Sequence, residues 1–182
     1  MSAPGIGQKR SRKSCGQFSL HLSLTCNSGH SKRLGRTIMI RGSCLCGGVR
    51  FEIDRVTGPF ELCHCTRCRK ASGSAFVAWI EFLRTDFRLL HGAELIKTYE
   101  APVRVRPPPY RKSFCSRCGS PVPDLSSDSP RIHVTAGVLD DDPQLRPDRH
   151  ILVECKSPWF TISDALPQLD RAALDALRRK QA

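Results

Sequence analysis

No stretch of this 182-residue chain is apolar for long enough to cross a bilayer, and the longest such run, around Ala75 to Ile80, suits a buried strand. There is no hydrophobic leader followed by a small-residue cleavage site, so export is not indicated. No internal repeat is convincing. Acidic residues are missing altogether from residues 1–38, which hold seven Lys/Arg: Lys9, Arg10, Arg12, Lys13, Lys32, Arg33 and Arg36. The formal net charge of +12 is concentrated there, because the rest of the chain sets 22 basic against 17 acidic residues, a net of +5. A mildly basic domain disfavours nucleic acid as a partner and suits a small anionic substrate; a solvated basic face explains the charge equally well.

Three readings fit residues 1–38. They suit a basic disordered tail, an Arg- and Ser-rich mitochondrial transit peptide, or an extension preceding a true start at Met39. Cys15 and Cys26 lie in this segment without ligand spacing. The remainder divides into a domain over 39–169 and a C-terminal helix or tail over 170–182. Hydrophobic content of 40% supports a modest core that metal cross-links would help to hold.

What the chain has in quantity is cysteine, ten in all. The spacings are those of metal ligands rather than of a secreted disulfide framework, so a reducing compartment, the cytoplasm, is expected, with the mitochondrion the alternative if 1–38 is a transit peptide. Cys63, Cys65 and Cys68 fall within six residues, in Cys63-His-Cys65-Thr-Arg-Cys68-Arg-Lys70. Thiolates packed so closely repel one another unless a cation or a disulfide takes up the charge, and a soft metal, zinc, is the economical answer. Cys44-x-Cys46 upstream and Cys115-x-x-Cys118 downstream, each followed by glycine, together make the four-sulfur set of a closed structural zinc. The trio is one ligand short of that, the pattern of a catalytic site with an open position.

Taken in order, the chain reads as short strands. Ile38 to Asp54 forms a hairpin around the first knuckle, with Val49, Phe51 and Ile53 alternating. Pro59 to Cys65 is a strand leading into the trio, and Arg67 to Ser72 is one helical turn at most. Strands follow over Ser74 to Phe82, Phe87 to Leu90, Leu95 to Tyr99, Arg111 to Phe114, Arg131 to Gly137 and Ile151 to Cys155. Arg104 to Pro109, with three consecutive prolines, is a loop or edge, and Leu139 to Arg149 is a turn region. Asp170 caps a helix to Lys180. The sum is an all-β, zinc-clamped fold of short antiparallel strands with a short C-terminal helix.

Four blocks, in order, carry a resemblance: Gly42-Ser-Cys44-Leu-Cys46-Gly-Gly-Val49-Arg-Phe51; the run from Cys63 to Gly73; Ser113-Phe-Cys115-Ser-Arg-Cys118-Gly119-Ser; and Pro147-Asp-Arg-His150…Lys156-Ser-Pro158-Trp159…Asp164-Ala-Leu-Pro167. From about Ile40 to Leu169 the chain resembles the glutathione-dependent formaldehyde-activating family, whose domain also occurs in centromere protein V. The resemblance implies a β-tent fold and two zincs per chain, one structural on Cys44, Cys46, Cys115 and Cys118, the other on Cys63, Cys65 and Cys68. It implies carbon–sulfur lyase chemistry joining a small thiol such as glutathione to a small aldehyde such as formaldehyde. His64, Arg69 and Lys70 follow the general family form rather than that of the formaldehyde-specific branch.

Each role has a plainer counterpart. The trio could instead be a second structural zinc completed by Cys155 or a histidine, or a labile site that oxidises to a disulfide. Arg67, Arg69 and Lys70 suit the carboxylates of a glutathione-like substrate, or are exposed turn charges. His64, between two ligands, points away from the metal, with a proton shuttle as its sharper role. Trp159 walls a pocket or belongs to the core, and Cys155 is a buried thiol. At the level of the whole chain, the alternatives to an enzyme are a non-catalytic zinc module contacting a protein or nucleic-acid partner, and a thiol redox sensor. Nothing in the sequence sets an oligomeric state.

Overall fold

The computed structural model describes residues 39–103 and 109–181, and the readings of residues 1–38 and of most of the proline segment lie outside them. Short alternating stretches become strands because each can bury one face only. In β1 (Ile40–Ser43) and β2 (Arg50–Ile53), Ile40, Phe51 and Ile53 point inward while Arg41 and Arg50 face solvent. They pair antiparallel, and β5 (Phe87–His91) joins the other side of β2. The second sheet is built on β3 (Phe60–Cys63) and β4 (Val77–Leu83), flanked by β8 (Arg131–Thr135) on one side and β9 (Arg149–Ile151) and β10 (Gln168–Leu169) on the other. β6 (Ile96–Glu100) and β7 (Arg111–Cys115) make a separate antiparallel ribbon.

The main core joins the first two sheets. Phe51, Ile53, Ile80, Phe82 and Val134 are fully buried there, and each large side chain so removed from water contributes about 1.5–3 kcal/mol. Truncating Phe82 to Ala would cost about 3–5 kcal/mol. Among the described residues no helix is long and apolar enough to cross a membrane.

The expected mainly-β fold with a C-terminal helix, α2 (Arg171–Gln181), is what the chain adopts, with three differences of detail. The sheet is mixed: β3–β9 and β9–β10 pair in parallel. The helix after the trio, α1 (Thr66–Ser72), runs seven residues rather than a single turn, because Cys65 supplies the cap that the expectation lacked. The strand expected over Ile151 to Cys155 ends at Ile151. Leu152 turns to φ 58, and Val153–Cys155 is a 3-10 turn. β9 itself begins at Arg149, inside the expected turn region.

Candidate metal centres

The first centre joins two knuckles. Cys44 leaves the end of β1 and Cys46 follows within the tight turn to β2, where the Gly47 N–H donates to the Cys44 carbonyl at 2.8 Å. Cys115 ends β7, and the Gly119 N–H donates to the Cys115 carbonyl at 2.8 Å. Gly47 (φ 68) and Gly119 (φ 75) occupy the left-handed region that lets each turn close with its sulfurs on one side. Ser120 ties the knuckles together: its hydroxyl accepts from the Leu45 N–H at 3.0 Å and lies 3.4 Å from the Cys118 sulfur.

The four sulfurs all lie within 4.8 Å of one another, with Cys44–Cys46 at 3.5 Å and Cys46–Cys115 at 3.9 Å. Sulfurs bound tetrahedrally at about 2.3 Å from a zinc would stand about 3.8 Å apart, so the donor set fits that ion. The Ser120 hydroxyl and backbone N–H hold Cys118 down to about 5, toward the thiolate a metal requires. Cys44, Cys115, Val49 and Val122 are buried together, Cys118 is half-buried and Cys46 lies at the surface.

The second centre is local. Cys63 is the last residue of β3, Cys65 is the N-cap of α1, and Cys68 lies in its first turn, donating its N–H to the Cys65 sulfur at 3.3 Å. Cys63 and Cys68 are buried, and the three sulfurs again lie within 4.8 Å of one another. They compete for charge. Hydrogen bonds from Cys63 and then Cys68 hold Cys65 down to about 2, and the bond to Cys65 drives Cys63 upward. A single thiolate is stabilised this way, and three need a cation. Among the described residues neither Cys155 nor any histidine joins the set. Cys155 is half-buried, in the 3-10 turn after Leu152.

The two centres differ in access. A cavity of about 440 Å³ has Cys63, Cys65 and Cys68 in its lining and none of the other four ligands. Trp79, Tyr110 and Lys112 line it beside the trio, and Arg171, Leu174 and Arg178 of α2 form another wall. Of the three basic residues expected to receive substrate, Arg67 lines this cavity, its guanidinium 5.3 Å from the centre of the Tyr110 ring. Arg69 is bound on the other side of the helix, donating to the His64 carbonyl at 3.2 Å and to the Ser157 hydroxyl, and Lys70 is exposed. Neither lines the cavity. Trp159 is neither core nor wall but 71% exposed.

His64 does point away from the trio, into a chain that runs from two buried histidines to an exposed carboxylate. Its Nε2 lies 2.8 Å from His150 Nδ1, and His150 Nε2 lies 3.0 Å from the Asp164 carboxylate. Burial, with His150 next, holds His64 down to about 4, so the ring is neutral.

Sequence reasoning missed Glu61, Trp79, Tyr110, Lys112, Arg171 and Arg178. Glu61 alternates with Cys63 along β3, so a shared face could have been read from period two. Arg171, Leu174 and Arg178 share a helical face, but nothing in the sequence says that this face docks on the trio.

Residues 39–155 match the family model of the glutathione-dependent formaldehyde-activating enzyme. The chain belongs to this family. A relative in Halomonas elongata, named "Putative glutathione-dependent formaldehyde-activating enzyme", is 34% identical over 128 residues, covering 69% of this chain and 82% of its own length. A crystal structure of a Rhodobacter sphaeroides protein, 25% identical, aligns over 59% of this chain and 91% of its own, with a TM-score of 0.42. All seven cysteines of the two clusters fall inside the matched span, whereas α2 and Asp164 lie beyond it.

Proposed function

We propose that this member of the glutathione-dependent formaldehyde-activating family is a zinc enzyme of the carbon–sulfur lyase type, acting on adducts between a glutathione-like thiol and a small aldehyde. One observation carries the reading: three clustered cysteines, with no fourth protein ligand among the described residues, border a cavity large enough for a small molecule. A zinc on Cys63, Cys65 and Cys68 would supply a charge that favours the thiolate form of a bound thiol and polarises a carbonyl. A second zinc on Cys44, Cys46, Cys115 and Cys118 would stabilise the fold and has no open position to offer.

The chain's own residues do the rest. In the joining direction a sulfur lone pair forms the C–S bond to the carbonyl carbon, and the π pair moves onto oxygen. The proton lost by the thiol is returned to that oxygen through solvent, so the reaction needs no further reactant. Arg67 in the cavity lining suits a substrate carboxylate. The eight described cysteines are all unpaired, which suits a reducing compartment such as the cytoplasm.

The test is zinc content per chain, measured on protein purified without added metal, for wild type and Cys65→Ser together, followed by formation of S-(hydroxymethyl)glutathione. Two zincs falling to one, with adduct formation lost and the fold kept, is the expected result. Adduct formation that persists in a folded Cys65→Ser protein would remove the trio from the chemistry and favour a non-catalytic zinc module.

A further inference from the structure

The cavity carries six cationic side chains, and most are already neutralised. Arg111 pairs with Glu100 at 2.8 Å, Arg131 with Glu81 at 2.6 Å and Arg178 with Glu61 at 3.4 Å, while Arg171 approaches Asp175 at 4.0 Å. Lys112 is different. Half-buried on β7, it has no hydrogen bond or ion pair among the described residues, and burial weakens its hold on a proton. Arg67 is also without a carboxylate, its charge resting over the Tyr110 ring. Both free cations therefore border the same cavity as the trio.

Tyr110 is the second anomaly. Its hydroxyl is buried and finds no hydrogen-bond partner among the described residues. Buried hydroxyls are nearly always satisfied, because leaving one bare costs about 1–3 kcal/mol, so an orphan lining a cavity marks a place where a ligand atom belongs. The phenol sits beside Cys68. Its O–H has one hydrogen bond to donate. The Arg67 guanidinium over the ring draws on its π density and strengthens the O–H as a donor. Tyr110 and Lys112 share one face of the ribbon: they are two residues apart, and the ladder extends to Tyr110 through the Ala101 N–H, which donates to the Tyr110 carbonyl at 2.9 Å.

We propose that Tyr110 and Lys112 form an oxyanion subsite beside the cysteine trio, and that it receives the aldehyde-derived oxygen of the substrate. The assignment rests on the reaction proposed above. As the sulfur lone pair forms the C–S bond, the carbonyl π pair collects on oxygen. The Tyr110 O–H donates a hydrogen bond to that oxygen, and the Lys112 ammonium balances its charge until a proton arrives from solvent. In the reverse direction the same two groups support the oxygen as it gives up its proton and the C–S bond breaks. Donors fixed where charge develops, in a site partly closed to water, act mainly on the transition state. A carboxylate, with its planar pair of charged oxygens, is the stable ligand class that the subsite should accept.

The experiment uses the zinc-loaded full chain carrying Trp159→Phe, which leaves Trp79 in the cavity lining as the one tryptophan. Acetate is titrated while Trp79 fluorescence is followed, in this background and with Tyr110→Phe, Lys112→Met or Arg117→Gln added. Retention of both zincs and of the circular-dichroism spectrum shows that each variant is folded. Acetate affinity should fall about tenfold or more for Tyr110→Phe and for Lys112→Met, as expected for loss of a charge-assisted contact, and stay unchanged for the exposed Arg117→Gln. Acetate that does not bind, or binds all variants alike, overturns the subsite.

Kinetics on S-(hydroxymethyl)glutathione form the second arm. Tyr110→Phe should lower kcat about 100-fold with KM little changed, the mark of a transition-state contact. Unchanged kcat in both variants also overturns the proposal. If wild type turns over no thiol–aldehyde adduct while acetate behaves as expected, the reaction is wrong and the subsite stands. If turnover is robust while acetate ignores both substitutions, the reverse holds.

Discussion

The two cysteine clusters are built from the same chemistry and differ in how much chain they gather. Cys44, Cys46, Cys115 and Cys118 bring together a β-hairpin and the end of a ribbon some seventy residues apart in sequence, and their four sulfurs are enough to saturate a tetrahedral ion. Cys63, Cys65 and Cys68 come from one strand end and one helix start, close no long loop and line the cavity with one sulfur fewer than a tetrahedral ion takes. A metal in the first acts as a cross-link, so its binding energy is folding energy. A metal in the second joins residues the backbone already holds together, and is free to be useful in other ways.

The largest expected effect breaks the first cluster. Cys115→Ser removes a fully buried ligand. Structural zinc contributes on the order of 10 kcal/mol, comparable to the whole stability of a domain, so calorimetry should show no cooperative unfolding transition at all. Cys65→Ser should move Tm by only a few degrees, since a change of about 1 kcal/mol shifts a domain of this size by about 2–4 °C. Equal losses of Tm in the two variants would erase the distinction between a cross-linking and a local centre.

A smaller effect sharpens the comparison from behind the trio. Asp164→Asn takes the charged acceptor from the buried His150, which in turn holds His64 between two ligands. Competition with a colorimetric chelator should show the second zinc weakened about tenfold, with the first unchanged, because supporting hydrogen bonds orient a metal site without touching the ion. Equal weakening of both would point to general loosening.

The smallest effect lies beside the first knuckle, where Arg41 on β1 holds Asp141 to about 2, below the usual carboxylate range. The folded state thus binds this proton less readily than the unfolded one. The contribution is complete above the ordinary aspartate value of about 4 and is lost as pH falls toward 2. Urea midpoints of wild type and Asp141→Asn should differ slightly at pH 6 and converge in acid, with both zinc affinities at pH 7 the same in the two proteins. A gap that widens on acidification would reverse the assignment.

Much of this was legible because it is local. Spacing alone exposes the trio and both knuckles, and alternation gives Phe51 with Ile53 and Ile132 with Val134 as inward pairs. What stayed hidden depends on which distant segments meet. The parallel pairing of β3 with β9 aligns Leu62 with His150 and so brings His150 beside His64, although 86 residues separate the two histidines. Leu152 breaks the last expected strand with a left-handed turn that a leucine does not announce. Tyr110 and Lys112 look like ordinary strand residues after a proline run, and only the packing of the ribbon beside the trio gives them a cavity to face. Arg69 shows the converse: next to Cys68 in sequence, it is turned by the helix toward Ser157.

One strand carries both halves of this arrangement. β7 ends in Cys115 and presents Lys112, with Tyr110 just ahead of it, to the cavity. The closed centre therefore anchors one end of the segment that shapes the open one. Two ions held there would not be equally replaceable: exchange at the trio would leave the cavity standing, whereas a chelator that stripped the four-cysteine centre would release the strand end behind Lys112. Were both clusters to take up metal, loading would have an order, and the ion with no chemistry of its own would come first.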